Sequence, residues 1–361
     1  MRKNWIALLM AAICGSAGCT ETTTLEWPKE CVGRMQLALP GEVDQAALLG
    51  SQRFRNPAQY SGPSMSFPDG EKSGWGESLG FRITHPLTDE EKKQATKKRA
   101  ALDEGEKFIK NLKIGNDVVW YVAIDRPNRQ YNIPYRYIVA SFLLSNSVYL
   151  SWMTSDLDEA GFIKAKTELE SSISQARPRA LFDVPHQPGL CLPYVFIPDD
   201  GQYEHLIGMS YRIKEHPDII VTFESKTAES TPTEDDRRRP DAATNDFRAY
   251  LFWGAFLTQT KSNRSLWHLP AKRPMTLAGR PGLETFLAVV YERDKSSEEN
   301  YVYYAVARGD PDHPEETPDV QLLVKQKRQN AIMRGITPLT EKEVLKLAQQ
   351  IAASVTVRPV R

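Results

Sequence analysis

Alternating apolar and polar residues predict β-strands in both halves of the chain. Met35, Leu37 and Leu39 would share one face of an extended segment over 31–40, and residues 118–124 are β-branched and aromatic. The same pattern predicts strands at 81–84, 135–144, 148–153, 191–198, 205–213, 219–224, 275–278, 284–292, 301–307 and 320–325. Turn-forming residues at 145–147 and 216–218 would join two pairs of these strands into antiparallel hairpins.

Apolar residues at helical spacing predict four helices. They are expected from residue 88 to about 112, from 156 or 158 to about 176, over 247–257, and from 340 onward. Thr88 with Glu91, and Thr340 with Glu343, have the spacing of a capping box, in which the two side chains satisfy free amides of the first turn. The first helix is highly charged, so we expect it on the surface, and Gly105 is a candidate break within it.

Both halves show the same order of elements: a cysteine with a short strand, antiparallel strands, and a closing amphipathic helix. The proline-rich segment 184–189 separates them and resists both helix and central strand. We therefore predict an α+β fold with two domains, residues 31–183 and residues 184–361. Each would be an antiparallel sheet with helices packed on one face.

The N-terminus has the pattern of a bacterial signal peptide. Arg2 and Lys3 precede an apolar run at 5–14, which is too short to span a bilayer, and small residues follow up to position 18. Residues 16–19 (SAGC) resemble a lipobox, which would make Cys19 a lipidation site and residues 19–30 a tether. Cleavage after Ala17, with plain secretion, is the alternative. By resemblance to sorted lipoproteins, Thr20 after Cys19 favours the outer membrane, so we expect a periplasmic protein held at that membrane by its lipid anchor.

The charge balance argues against a nucleic-acid partner. The chain has 46 basic and 46 acidic residues, and loss of Arg2 and Lys3 with the signal peptide leaves 44 against 46, a net charge of −2. A nearly neutral surface has no broad basic field that would attract nucleic acid.

Two cysteines, Cys31 and Cys191, remain once the signal peptide and the lipidated position are set aside. In an oxidising compartment such a pair tends to form a disulfide. The alternative is that each is a small buried residue and that the two never meet.

The chain carries no recognisable catalytic motif. Gly208-Met209-Ser210 lacks the second glycine of a hydrolase turn and falls within a predicted strand. The six histidines include no helical metal-binding pair, and neither a Walker loop nor a dinucleotide-binding glycine pattern is present. We therefore predict a protein that is not an enzyme and has no metal or cofactor.

One charged loop is a candidate for partner binding. Arg237, Arg238 and Arg239 follow three acidic residues at 234–236, and arginine forks are suited to a carboxylate-bearing partner surface. The alternative is a solvated loop whose charges satisfy each other.

Three short motifs resemble type VI secretion lipase-immunity proteins. They are Cys31-Val32-Gly33-Arg34 with the strand to Pro40, Gly189-Leu190-Cys191-Leu192-Pro193 with Phe196-Ile197-Pro198, and Gly279-Arg280-Pro281-Gly282-Leu283-Glu284. Together with a lipoprotein signal, they extend the resemblance from about residue 30 to the C-terminus.

The resemblance implies a periplasmic immunity protein that binds a secreted phospholipase toxin and blocks access to its active site. Such a protein needs rigid domains that grip a partner, and no catalytic group of its own. The alternative is an envelope or small-molecule-binding lipoprotein without a toxin partner. A deep polar pocket would support this alternative.

Overall fold

The computed structural model describes residues 27–54, 65–74, 80–103, 110–114, 117–127, 134–201, 203–228, 244–257, 271–290, 299–314 and 316–360. The strands are β1 (Lys29–Val32), β2 (Met35–Ala38), β3 (Val43–Gln45), β4 (Phe81–Ile83), β5 (Lys110–Ile114), β6 (Asp117–Pro127), β7 (Pro134–Leu143), β8 (Tyr149–Leu157), β9 (Arg177–Pro178), β10 (Gly189–Leu192), β11 (Val195–Pro198), β12 (Leu206–Ile213), β13 (Ile219–Lys226), β14 (Arg273–Leu277), β15 (Arg280–Val289), β16 (Asn300–Ala307), β17 (Asp319–Gln326) and β18 (Thr356–Val357). The helices are α1 (Gly50–Phe54), α2 (Asp89–Asp103), α3 (Glu159–Ser171), α4 (Asn245–Leu257), α5 (Arg328–Met333) and α6 (Glu341–Ser354). Among these residues, no helix has both the length and the apolar character of a membrane span.

Two antiparallel sheets dominate the fold, which confirms the predicted α+β class. The larger has seven strands in the order β14-β15-β16-β17-β13-β12-β3, and the smaller has five in the order β4-β8-β7-β6-β5. Strand β3 comes from the N-terminal half but pairs with β12, so it extends the sheet of the C-terminal half.

Helices cover both faces of the seven-stranded sheet, whereas the sequence led us to expect them on one. Neighbouring residues of a strand point to opposite faces. Tyr303 of β16 therefore packs in the cluster that includes Val344 of α6. Tyr304 stacks on Phe252 of α4, with ring centroids 3.9 Å apart.

The two halves each lend a short strand to the other. After α3, strand β9 pairs with β11 of the C-terminal half, and after α6, strand β18 pairs with β2 of the N-terminal half. The residue after each lent strand is an arginine that donates its backbone N–H to the turn of the other half's hairpin. Arg179 N lies 2.9 Å from Tyr194 O, and Arg358 N lies 3.0 Å from Arg34 O.

One continuous apolar core runs through both halves. It contains Phe142 and Leu150 of the five-stranded sheet together with Tyr211, Val221 and Val324 of the seven-stranded sheet. The shared core, β3 and the lent strands all cross the expected boundary at 183/184, and the division into two domains stays a prediction.

Three predicted elements differ from the structure. The first helix ends at Asp103 instead of continuing to about 112, and residues 110–114 form strand β5. The segments 31–40 and 191–198, each expected as a single strand, are tight hairpins that turn after Val32 and after Leu192. Alternation alone does not show a two-residue turn when the residues on both sides of it are apolar.

Candidate partner-binding cleft

A cleft of about 290 Å³ opens between α3, β8 and the segment that leads into β12. Both halves line it, through Gly80, Trp152, Met153, Thr154, Gly161, Lys164, Ala165, Glu168, Tyr203 and Glu204. Sites for small-molecule ligands usually measure about 300–1,000 Å³. The cleft lies at the lower end of this range, so its volume alone admits either a small ligand or a long side chain of a partner.

Helix α3 forms one wall of the cleft because its start is fixed beside β8. The carboxylate of Asp158, the residue after β8, accepts a hydrogen bond from Gly161 N at 2.7 Å and so caps the helix. Leu169 is fully buried in the core. Lys164 and Glu168, one turn apart, line the cleft.

Gly80 keeps the floor of the cleft open. Its φ is +71°, and its carbonyl accepts a hydrogen bond from Met153 N at 2.9 Å. A Cβ at this position would lie 2.8 Å from Met153 O and 3.0 Å from Trp152 Nε1. A side chain would therefore be strained here and would collide with the wall.

Tyr203 and Glu204 form the opposite wall, on a loop built around Asp199. One oxygen of the Asp199 carboxylate accepts hydrogen bonds from Gly201 N at 3.0 Å and Tyr203 N at 3.3 Å. The other oxygen is 2.5 Å from Arg34 Nη2, which also donates to Tyr203 O at 2.9 Å. Arg34 belongs to the N-terminal hairpin, so this buried ion pair fixes the second wall relative to the first half.

The same region contains a covalent link between the halves. The sulfur atoms of Cys31 and Cys191 are 2.14 Å apart and their Cα atoms 5.7 Å apart, which is the geometry of a disulfide. Both cysteines are fully buried. Next to them, Glu30 and Arg179 form a second buried ion pair at 2.6 Å. Arg179 Nη2 also donates to Leu192 O at 3.1 Å, so this paired arginine connects β1 with the hairpin of the second half.

Two acidic side chains, Glu168 and Glu204, and one basic side chain, Lys164, line the cleft. Burial raises the pKa of the Glu168 carboxyl, Lys164 opposes this shift, and the negative charges of Glu204 and Asp199 add to it. Lys164 Nζ is 3.8 Å from Glu168 Oε1, and its side chain is 67% exposed. Lys164 therefore neutralises Glu168 only weakly, because an exposed pair is screened by water.

The serine and the histidine nearest to a catalytic pattern are buried in the seven-stranded sheet and its entry. Ser210 is buried within β12 with its Oγ 2.7 Å from Thr222 Oγ1, so it does not present a nucleophile to solvent. His205 is buried between Ser225 and Thr227, and burial lowers its pKa to about 3. In the part of the chain that the structure describes, no group of His, Cys, Asp and Glu is placed to hold a metal ion.

The residues that the sequence singled out fall in two groups. Cys19 and the loop arginines Arg237, Arg238 and Arg239 lie outside the described residues. Cys31 lies in the hairpin whose Arg34 fixes the Tyr203 wall, and Cys191 is bonded to it from the hairpin of the second half. Sequence reasoning missed the cleft itself, because Lys164 and Glu168 have the spacing of an ordinary surface pair.

Residues 183–360 match the family model for the Tle cognate immunity protein 4 C-terminal domain. A comparison with curated proteins by sequence gave no match.

Solved structures share the fold over almost the whole chain. The apo immunity protein TplEi of the type VI secretion system of Pseudomonas aeruginosa is 17% identical, with a TM-score of 0.56 over 93% of this chain and 98% of that one. TplEi in complex with a peptide named "L" is 18% identical, with a TM-score of 0.53 over 93% and 99%. A chain of the Tle4–Tli4 complex is 17% identical, with a TM-score of 0.54 over 93% and 99%.

Proposed function

This chain belongs to the Tle cognate immunity protein 4 family through its residues 183–360, and we propose that it neutralises a type VI secreted phospholipase of the Tle class. The family match is the observation that carries the proposal. The fold gives further support, because its similarity to the immunity proteins covers 93% of this chain, whereas the family match covers only the C-terminal half.

Neutralisation by binding requires a rigid surface and no catalytic group. The cleft offers such a surface, since a disulfide, two buried ion pairs and a shared core fix its walls. Covering the toxin's active-site entrance would exclude lipid without chemistry. A stable complex of this kind buries about 1,600 Å² in total, so the cleft would be one part of a wider interface.

The proposal includes export to the periplasm and a lipid anchor at Cys19 in the outer membrane. A toxin that attacks lipid from the periplasmic side can be met only there. Cys19→Ser should release the protein from the membrane fraction, because the acyl chains lose their attachment point. Absence of palmitate label on the unaltered chain would instead indicate plain secretion.

Protection of living cells tests the function. Cells that direct the proposed partner, a Tle-class lipase, to their periplasm should survive when they make the full chain. They should die when they make an equal amount of a chain without residues 1–18, which stays in the cytoplasm. Death in both cases would contradict the proposal.

A further inference from the structure

We propose that the cleft receives one lysine or arginine side chain of the toxin, with the carboxylates of Glu168 and Glu204 as its ion-pair partners. This inference rests on the proposed function, because the toxin supplies the side chain. It specifies which kind of side chain the toxin must present at the cleft.

The shape of the cleft fits a long side chain with a charged end. Its volume of about 290 Å³ is left open by the small residues Gly80, Gly161 and Ala165. Trp152 and Tyr203, both mostly buried, provide apolar wall for a methylene stem. Lysine and arginine bury such stems on apolar surface while their charged ends remain with polar groups.

Acidic side chains outnumber basic ones among the described residues that line the cleft. Two carboxylates, Glu168 and Glu204, line it with a single cation, Lys164. Asp199 adds negative potential from behind the wall, although its own carboxylate is paired with Arg34 at 2.5 Å. A cation from outside would complement this surface, since opposite charges across an interface steer association and fix its register.

The rim of the cleft adds an apolar contact. Met153 is 54% exposed beside the entrance, although it follows directly on the buried Trp152. Methionine adapts to irregular partner surfaces and is common where proteins bind other proteins. The toxin segment that carries the cation would cover Met153, and water would then be excluded from the ion pairs.

Isosteric removal of the carboxylate charges tests the proposal. Glu168→Gln and Glu204→Gln would be compared with Glu170→Gln, an exposed position on the same helix that loses the same charge. Affinity of the full chain for the lipase would be measured by calorimetry at low and high salt. Each cleft variant should bind roughly tenfold more weakly, with a smaller salt dependence, and the control should bind like the unaltered protein.

The partner side chain is found by replacing single lysines and arginines of the lipase by alanine. One of these changes should cost much less affinity when Glu168→Gln or Glu204→Gln is already present, because the two residues interact. If both cleft variants match the Glu170→Gln control, or if no toxin cation couples to them, the cation proposal is wrong and the immunity function stands. If the unaltered chain does not bind the lipase at all, the immunity function fails first.

Discussion

Gly80 shows how one residue shapes the cleft, and its replacement gives a sharp prediction. Gly80→Ala should lower the free energy of unfolding by about 2–3 kcal/mol, since it combines a positive φ with a collision. Gly335 is the matched control, because its φ is +68° and a Cβ there would meet nothing within 4 Å. Gly335→Ala should cost about 1 kcal/mol. Equal losses in urea denaturation would show that Gly80 is constrained by its φ alone.

His205 makes stability depend on pH. Burial, and then the nearby Arg34 charge, lower its pKa from 6.5 to about 3, so the folded state favours the neutral ring. The stabilisation is fully present above about pH 6.5 and is lost as the pH falls toward 3, by up to about 1.4 kcal/mol per pH unit. Between pH 6.5 and 5, His205→Gln should show a shallower decline in unfolding free energy than the unaltered protein. Identical slopes would contradict the burial of a neutral imidazole.

At the scale of elements, the lent strands explain how the halves are joined. Arg358 follows β18, and its guanidinium donates to the carbonyls of Pro185, Gln187 and Gly189. Strand β18 thus attaches the C-terminus both to β2 and to the segment between the halves. The tail is only two paired residues long, and yet it contacts both sides of the expected boundary.

Truncation tests this attachment. A chain ending at Val355 loses β18 and Arg358 and should be destabilised by about 3 kcal/mol or more, because hydrogen bonds to a charged group are worth roughly 1.5–3 kcal/mol each. A chain ending at Pro359 keeps both and should unfold like the unaltered protein. Matching thermal melts for the two truncations would mean that the lent strand contributes nothing.

The sequence predicts local elements better than it predicts their partners. The capping box of Thr340 and Glu343 is present at the start of α6, because its hydrogen bonds join residues three apart. The turn at 145–147 and the cap at Asp158 are equally local. The two-residue strand β18 carries no periodic pattern, and its pairing with β2 depends on contacts more than 300 residues apart. The cleft was missed for the same reason, since Gly80, Glu168 and Tyr203 meet only in the folded chain.

At the scale of the whole molecule, the disulfide should contribute strongly to stability. Cys31 and Cys191 are 160 residues apart, and closing a loop of this length is worth about 5 kcal/mol in an idealised treatment. In a chain that begins at residue 20, a thiol assay after unfolding should find no free thiol. The double substitution to serine should lower the unfolding free energy by several kcal/mol, and added reductant should not destabilise that variant further. Two titratable thiols in the unaltered chain would refute the bond.

A rigid frame joins the two halves of the molecule. The shared core, the disulfide and the lent strands β9 and β18 prevent the walls of the cleft from moving independently. Preorganisation of this kind strengthens binding because little order remains to be imposed when the partner arrives.

Titration of the lipase with the purified protein tests the central claim most directly. Phospholipid hydrolysis should fall in proportion to the protein added and reach zero at a fixed molar ratio, with no change in the lipid when the protein is present alone. Full hydrolysis in the presence of excess protein, with no complex on gel filtration, would contradict the account.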